Sequence, residues 1–157
     1  MIHPTAIIDS SAQLGENVKV GPWSQIGADV KIGNHCEIAS HAVIKGPTTI
    51  GEKNKIYQFS TIGDDTPDLK YQGEPTELLI GDNNVIREGV TIHRGTVQDR
   101  GETYIGSNNL LMAYVHIGHD CVVGDHTILI NNASLAGHVS LGDWSILSGY
   151  VLVHQYV

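Results

Sequence analysis

Aromatic side chains are scarce in this 157-residue chain: one Phe, two Trp and six Tyr. Its apolar content is mostly Ile, Val and Leu, and eighteen glycines accompany it. That combination points to strands and turns rather than helices. Only two cysteines are present, Cys36 and Cys121, too far apart for a zinc or redox motif, so both are expected to be reduced and buried. No apolar run approaches a membrane span. The opening Met1-Ile2-His3-Pro4 has no basic segment leading into an apolar one, so export is not indicated and a cytoplasmic location is expected. Cations are few, and the formal net charge of −8 argues against nucleic acid as the main partner. An acidic partner would need a local basic patch. The length suffices to bury a core without disulfides or metal.

What the chain has instead is a repeat. An aliphatic residue recurs every six positions from Ile2 to Ile62, returns in phase at Ile80, Ile86 and Ile92, and after one shift runs from Ile105 to Val153. Every one of these positions is Ile, Leu or Val. The next residue is often Gly, and the residue two before is commonly small or β-branched, as at Ala12, Ser24, Cys36, Ala42, Thr127, Ala133 and Ser145. A helix needs a period near 3.6 and a two-faced strand a period of 2. A period of six fits a parallel β-helix of short strands, with one inward aliphatic per strand and a glycine relieving the backbone at each corner. Each inward side chain contributes on the order of 1.5–3 kcal/mol before chain entropy is subtracted. This pattern resembles the hexapeptide-repeat proteins, in which three hexapeptides make one triangular coil. That resemblance implies a left-handed helix, whereas the general rule for crossovers favours right-handed ones. The expected architecture is therefore all-β: a single left-handed parallel β-helix over residues 1–157.

Two interruptions break the period, at about residues 64–79 and 94–104, and both read as loops extruded from the solenoid, where binding groups are usually mounted. If a coil is 18 residues and the second loop adds seven, Ile92, Ile117, Leu135 and Val153 share one strand position on four successive coils. His93, His116, His119, His138 and His154 then gather near one edge, over about 14 Å at the usual strand spacing. The densest stretch is Val-His-Ile-Gly-His-Asp-Cys, from Val115 to Cys121. Three chemistries fit such an edge. One is general base catalysis by a histidine steadied by a carboxylate. Another is a histidine-bound zinc with an open water position. The third is a passive binding surface. A covalent mechanism is weaker, since Cys121 takes an inward small position and Ser134 has no motif around it.

A narrower resemblance is carried by Asp68-Leu69-Lys70-Tyr71-Gln72-Gly73-Glu74-Pro75, Thr91-Ile92-His93-Arg94-Gly95-Thr96, His116-Ile117-Gly118-His119-Asp120-Cys121, Leu135-Ala136-Gly137-His138-Val139 and Val153-His154-Gln155. These motifs, collinear along the whole chain, resemble the acyl-carrier-protein–UDP-N-acetylglucosamine O-acyltransferases of bacterial lipid A synthesis. The resemblance implies transfer of a 3-hydroxyacyl group from acyl carrier protein to the glucosamine 3-hydroxyl of UDP-N-acetylglucosamine. It implies His119 as general base, Asp120 as its orienting partner and the Gly137 N–H as oxyanion donor. Asp68, Lys70, His93, His116, His138, His154 and Gln155 match positions around the sugar, phosphates and acyl group. No cofactor and no metal are implied, and the expected assembly is a homotrimer. For Arg94 and Arg100 two readings stand side by side, a contact with the acidic carrier protein and a merely solvated loop; both place them at the surface. The family continues beyond Val157 with further coils and a C-terminal helical domain, so the expectation is a fragment, natural or engineered, whose fold and histidine edge survive and whose turnover is open. The alternatives are a zinc-dependent hexapeptide-repeat carbonic anhydrase and a noncatalytic trimeric scaffold.

Overall fold

The computed structural model describes residues 1–157, and its regular structure is entirely β. Short strands, mostly of two residues, stack into three parallel sheets of eight, seven and seven strands. Sequence neighbours lie in different sheets, so the chain visits all three before pairing with itself one coil later. In the uninterrupted coils that partner is 18 residues away, as in Ile26 against Ile44.

The hexad aliphatics point inward and build the core: Ile44, Ile62, Ile92, Ile117 and Leu135 are each fully buried. The residue two before each of them also faces inward and forms a second interior column. In one column Asn54, Asn84 and Asn109 are stacked, each side-chain oxygen accepting from the backbone N–H one coil on, at Asn84, Asn109 and Thr127 (2.7–2.9 Å). Their amide groups donate to Gly81, Gly106 and Gly124 carbonyls. These buried amides are thus paired on both sides, which is what their burial demands. Cys36 continues the column below, accepting from Asn54 N–H at 3.4 Å.

The corners differ from the sequence expectation. The backbone turns at the third residue after each aliphatic, and 17 of these residues are left-handed without being glycine, including Trp23, Asp120, Asn132, His138 and Tyr156 at φ near +60°. The glycines directly after the aliphatics serve close stacking instead. A Cβ on Gly33 would lie 2.7 Å from the Gly51 backbone, and one on Gly118 2.9 Å from the Gly137 nitrogen.

The strand Thr91–His93 pairs with His116–Ile117, which pairs with Ser134–Leu135, which pairs with Leu152–Val153. The register sets Ile92, Ile117, Leu135 and Val153 in one column, as the period required. Both insertions leave the solenoid beside this column. The first follows the strand Thr61–Asp64 and ends at Glu77–Ile80; the second ends at Glu102–Ile105. Residues 77–79 and 102–104, expected in loops, pair with each other as strand, so each excursion is shorter than the broken period suggested.

Candidate active site

His119 and Asp120 occupy a corner of the prism, just after the strand His116–Ile117. Asp120 is left-handed (φ 58°), and its carboxylate is fully buried under the second insertion. There Oδ1 accepts the Thr96 N–H (2.9 Å), and Oδ2 accepts the Thr96 hydroxyl (2.6 Å). The remaining neighbour of Oδ2 is His119 Nδ1, at 2.8 Å. An ionised carboxylate is an acceptor only. Nδ1 therefore carries the proton, and in neutral His119 the lone pair sits on Nε2, the tautomer a general base needs.

Nε2 faces two groups. One is the Asp68 carboxylate of the first insertion, 3.9 Å away. The other is Gly137, one coil on, where a Cβ would fall 2.6 Å from Nε2, so only glycine leaves room for the ring. The Gly137 N–H donates to no acceptor in the protein. Along a different edge the equivalent corner N–H groups are capped by side chains: Glu52 by Asp82, Asp82 by Ser107, Ser107 by Asp125 and Asp125 by Asp143, at 2.7–2.9 Å. At the histidine edge no such ladder exists, and a free, fixed N–H dipole stands beside His119.

The other histidines fall into pairs. His138 lies edge-on to His119 with ring centroids 4.9 Å apart, stacks on Tyr156 at 4.5 Å, and holds its Nδ1 2.7 Å from Asp99 of the second insertion. His93 and His116 meet edge to face at 5.2 Å. Burial pushes the pKa of both below the ordinary histidine value, and their mutual repulsion adds to this for His116, so both are neutral at pH 7. His116 Nδ1 is 2.7 Å from Thr91 Oγ1, whereas His93 Nδ1 is buried without a partner. His154 and Gln155 are exposed on the last coil. His154 and His116 line a depression of about 450 Å³ together with Leu135, Leu152 and Val153. Lys70 is exposed on the first insertion, its N–H held by Asp68 Oδ1 at 2.9 Å. A larger depression of about 720 Å³, among Ile2, Val20, Ile38 and Ile56, shares no residue with this edge.

One expectation is overturned. Arg94 is 5 % exposed and does not face solvent as a docking residue would. Its guanidinium donates to the Gly63 carbonyl (2.6 Å), the Tyr71 hydroxyl (2.7 Å) and the Asp65 carboxylate, and so ties the first insertion to the second. Arg100 is exposed. The sequence reading also missed Thr96 and Asp99, the partners of Asp120 and His138. Both lie in an insertion outside the hexad register, which is why the repeat assigns them no place.

Cys121 is buried, donates to the Ala136 carbonyl at 3.0 Å, and has its thiol pushed up to about 11, chiefly by burial, which disfavours the thiolate a nucleophile requires. His119, Asp120 and His138 place ligand atoms within 4.8 Å of one another. Three donors already occupy the Asp120 carboxylate, one on Oδ1 and two on Oδ2, so this donor set suits a proton-handling dyad better than a zinc centre.

The bacterial transferase hexapeptide family (six repeats) matches residues 11–46 and 102–129. An acyl-[acyl-carrier-protein]–UDP-N-acetylglucosamine O-acyltransferase of Stutzerimonas stutzeri is 69% identical over 156 residues, which cover 99% of this chain and 60% of that protein. The crystal structure of the UDP-N-acetylglucosamine O-acyltransferase of Moraxella catarrhalis superposes with a TM-score of 0.98 at 54% identity, over 99% of this chain and 60% of that one. The UDP-N-acetylglucosamine acyltransferase of Bacteroides fragilis gives 0.83 at 37% identity, over 98% and 67%. The parallel sheets and these neighbours make the coil a left-handed β-helix. The chain spans about 60% of the length of the curated relatives named here, and by sequence and fold it belongs to the acyl-carrier-protein–UDP-N-acetylglucosamine O-acyltransferase family.

Proposed function

We propose that this chain forms the catalytic part of an enzyme that moves a 3-hydroxyacyl group from acyl carrier protein to the 3-hydroxyl of UDP-N-acetylglucosamine, the first step of lipid A synthesis. The observation that carries this reading is geometric: Asp120 holds His119 Nδ1 at 2.8 Å, which turns Nε2 toward the free N–H of Gly137.

In this reading His119 Nε2 removes the proton from the sugar hydroxyl, and Asp120 stabilises the imidazolium. The sugar oxygen bonds to the thioester carbonyl carbon, whose oxygen becomes an oxyanion and accepts from Gly137 N–H. Collapse of the intermediate breaks the carbon–sulfur bond, and the proton on His119 passes to the departing thiolate of the carrier. The products are the ester and the free carrier thiol, with the base restored. A positioned base contributes about 10²–10⁴-fold, and an oxyanion donor about 10²–10³-fold.

Asp68, Lys70, His93, His116, His138, His154 and Gln155 are assigned to binding the sugar, phosphates and acyl group. Neutral His93 and His116 suit contacts with uncharged hydroxyl or amide groups, and Lys70 suits a phosphate. The depression lined by His116 and His154 and by the aliphatic Leu135, Leu152 and Val153 suits part of a substrate that is half sugar and half acyl chain. Arg100 on the second insertion remains the candidate contact for the acidic carrier. No helix is long and apolar enough to cross a membrane, and two free buried thiols suit the reducing cytoplasm. Exposed Trp23, Phe59, Tyr114 and Tyr150 favour a homotrimer, whose formation would cover apolar surface.

The test is incubation with a 3-hydroxyacyl carrier protein and UDP-N-acetylglucosamine, with and without chelator. O-acylated UDP-sugar formed at the same rate in both supports the reading. Activity abolished by chelator and restored by zinc would favour a metal site instead, and tight trimers with no affinity for UDP-sugar would favour a scaffold.

A further inference from the structure

The second insertion crosses the catalytic corner in three residues, each with a distinct task. Arg94 clamps the first insertion through Gly63, Asp65 and Tyr71. Gly95 lies so close to the strand Glu102–Ile105 that a Cβ would run into the Glu102 backbone. Thr96, 1 % exposed, then delivers both its N–H and its hydroxyl to the two oxygens of Asp120. Residues 94–96 are therefore a short strut between the loop that carries Asp68 and the carboxylate that holds the base.

We infer that Thr96 is the positioning residue of the dyad, the group that fixes the plane of the Asp120 carboxylate and so aims His119 Nε2. The reason is a count of restraints. Asp120 is fully buried, and its side chain accepts from Thr96 and His119 alone. With the Thr96 hydroxyl gone, His119 is the sole donor to Oδ2, and one N–H on Oδ1 does not by itself fix the carboxylate's rotation. His119 then follows its partner. Being buried, Thr96 acts through Asp120 and leaves substrate binding to others.

This inference rests on the acyl-transfer reading for its kinetic consequences but not for its spectroscopic one. Thr96→Val keeps the N–H and the shape while removing the hydroxyl; Thr96→Ser restores it. Steady-state kinetics of the valine variant should show kcat down by about 10- to 100-fold, the loss expected from misplacing a reacting group by a fraction of an ångström, with KM for either substrate changed by no more than about twofold. The serine variant should recover most of the loss. Independently of turnover, proton NMR of the parent should show a downfield Nδ1–H resonance, assigned by its absence in His119→Ala. It should move upfield in Thr96→Val and return in Thr96→Ser. If the valine variant does not fold, Thr96→Ala removes the hydroxyl without adding an atom and is read the same way. An unchanged kcat and an unchanged resonance in a folded variant lacking the hydroxyl would overturn the inference. A parent that transfers no acyl group counts against the acyl-transfer reading, and the resonance still decides the role of Thr96.

Discussion

Gly137 meets two demands at once: its N–H is unclaimed, and its missing Cβ leaves space for the His119 ring. Gly137→Ala should therefore lower kcat by about 10² or more, through a displaced base and a shifted oxyanion donor, while far-ultraviolet circular dichroism stays that of the parent. A variant that keeps full kcat would remove Gly137 from the mechanism. The placement of the candidate site was readable from sequence to a limited depth. His116 directly precedes the hexad residue Ile117, and His119 and Asp120 follow it by two and three, so the repeat itself places them. The orientation of Asp120 was not readable, because it depends on a left-handed corner and on Thr96 from an insertion. Arg94 illustrates the opposite error: an arginine in a loop reads as solvent-facing, yet here it is enclosed by Asp65 and Tyr71 of the other loop and by the Gly63 carbonyl of the strand before it.

Among the elements, the six-residue unit explains nearly all of the strands, because one inward aliphatic per unit fixes both register and facing. Its corner chemistry was misread. Glycine is needed where coils touch, and the left-handed turn two residues later is left mainly to Asn, Asp, His and aromatic residues, with Lys53 and Gly89 as exceptions. A β-branched residue at such a corner is strained. Asn132→Val should cost on the order of 1–2 kcal/mol, and Asn132→Gly should be neutral or slightly stabilising, as measured by denaturant unfolding. Equal stability for the two variants would mean that the corner carries no such strain. The interior asparagine column could not be foreseen in its pairing either, since each side-chain oxygen accepts from the backbone N–H of the next coil.

For the molecule as a whole, burial that lowers the pKa of His93 and His116 links stability to pH. Below about 6.5 the unfolded chain takes up protons at these sites that the folded chain does not, so stability falls as pH drops through that range. Asp64 adds a later loss in the same direction. Burial alone would raise its carboxyl, but Lys45 at 2.8 Å and the Asp65 N–H hold it below the usual value, and that contribution disappears when the pH falls through its folded pKa. Tm should decline from pH 7 to about pH 5.5, and a His93→Asn/His116→Asn double variant should flatten the decline. A parent whose Tm rises on acidification would contradict the assignment. The exposed aromatic edge leads to a second prediction at this scale. Light scattering should return three times the 16.9 kDa chain mass, and a monomer would leave the trimer without support.

The central claim is that this edge is an acyl-transfer site with His119 as its base. It is tested most directly by the rate at which 3-hydroxyacyl carrier protein and UDP-N-acetylglucosamine yield O-acylated sugar and free carrier thiol, for the parent and for folded His119→Ala at neutral pH. The account predicts turnover by the parent and a loss of about 10²–10⁴-fold in the variant. Equal rates for the two proteins would contradict it.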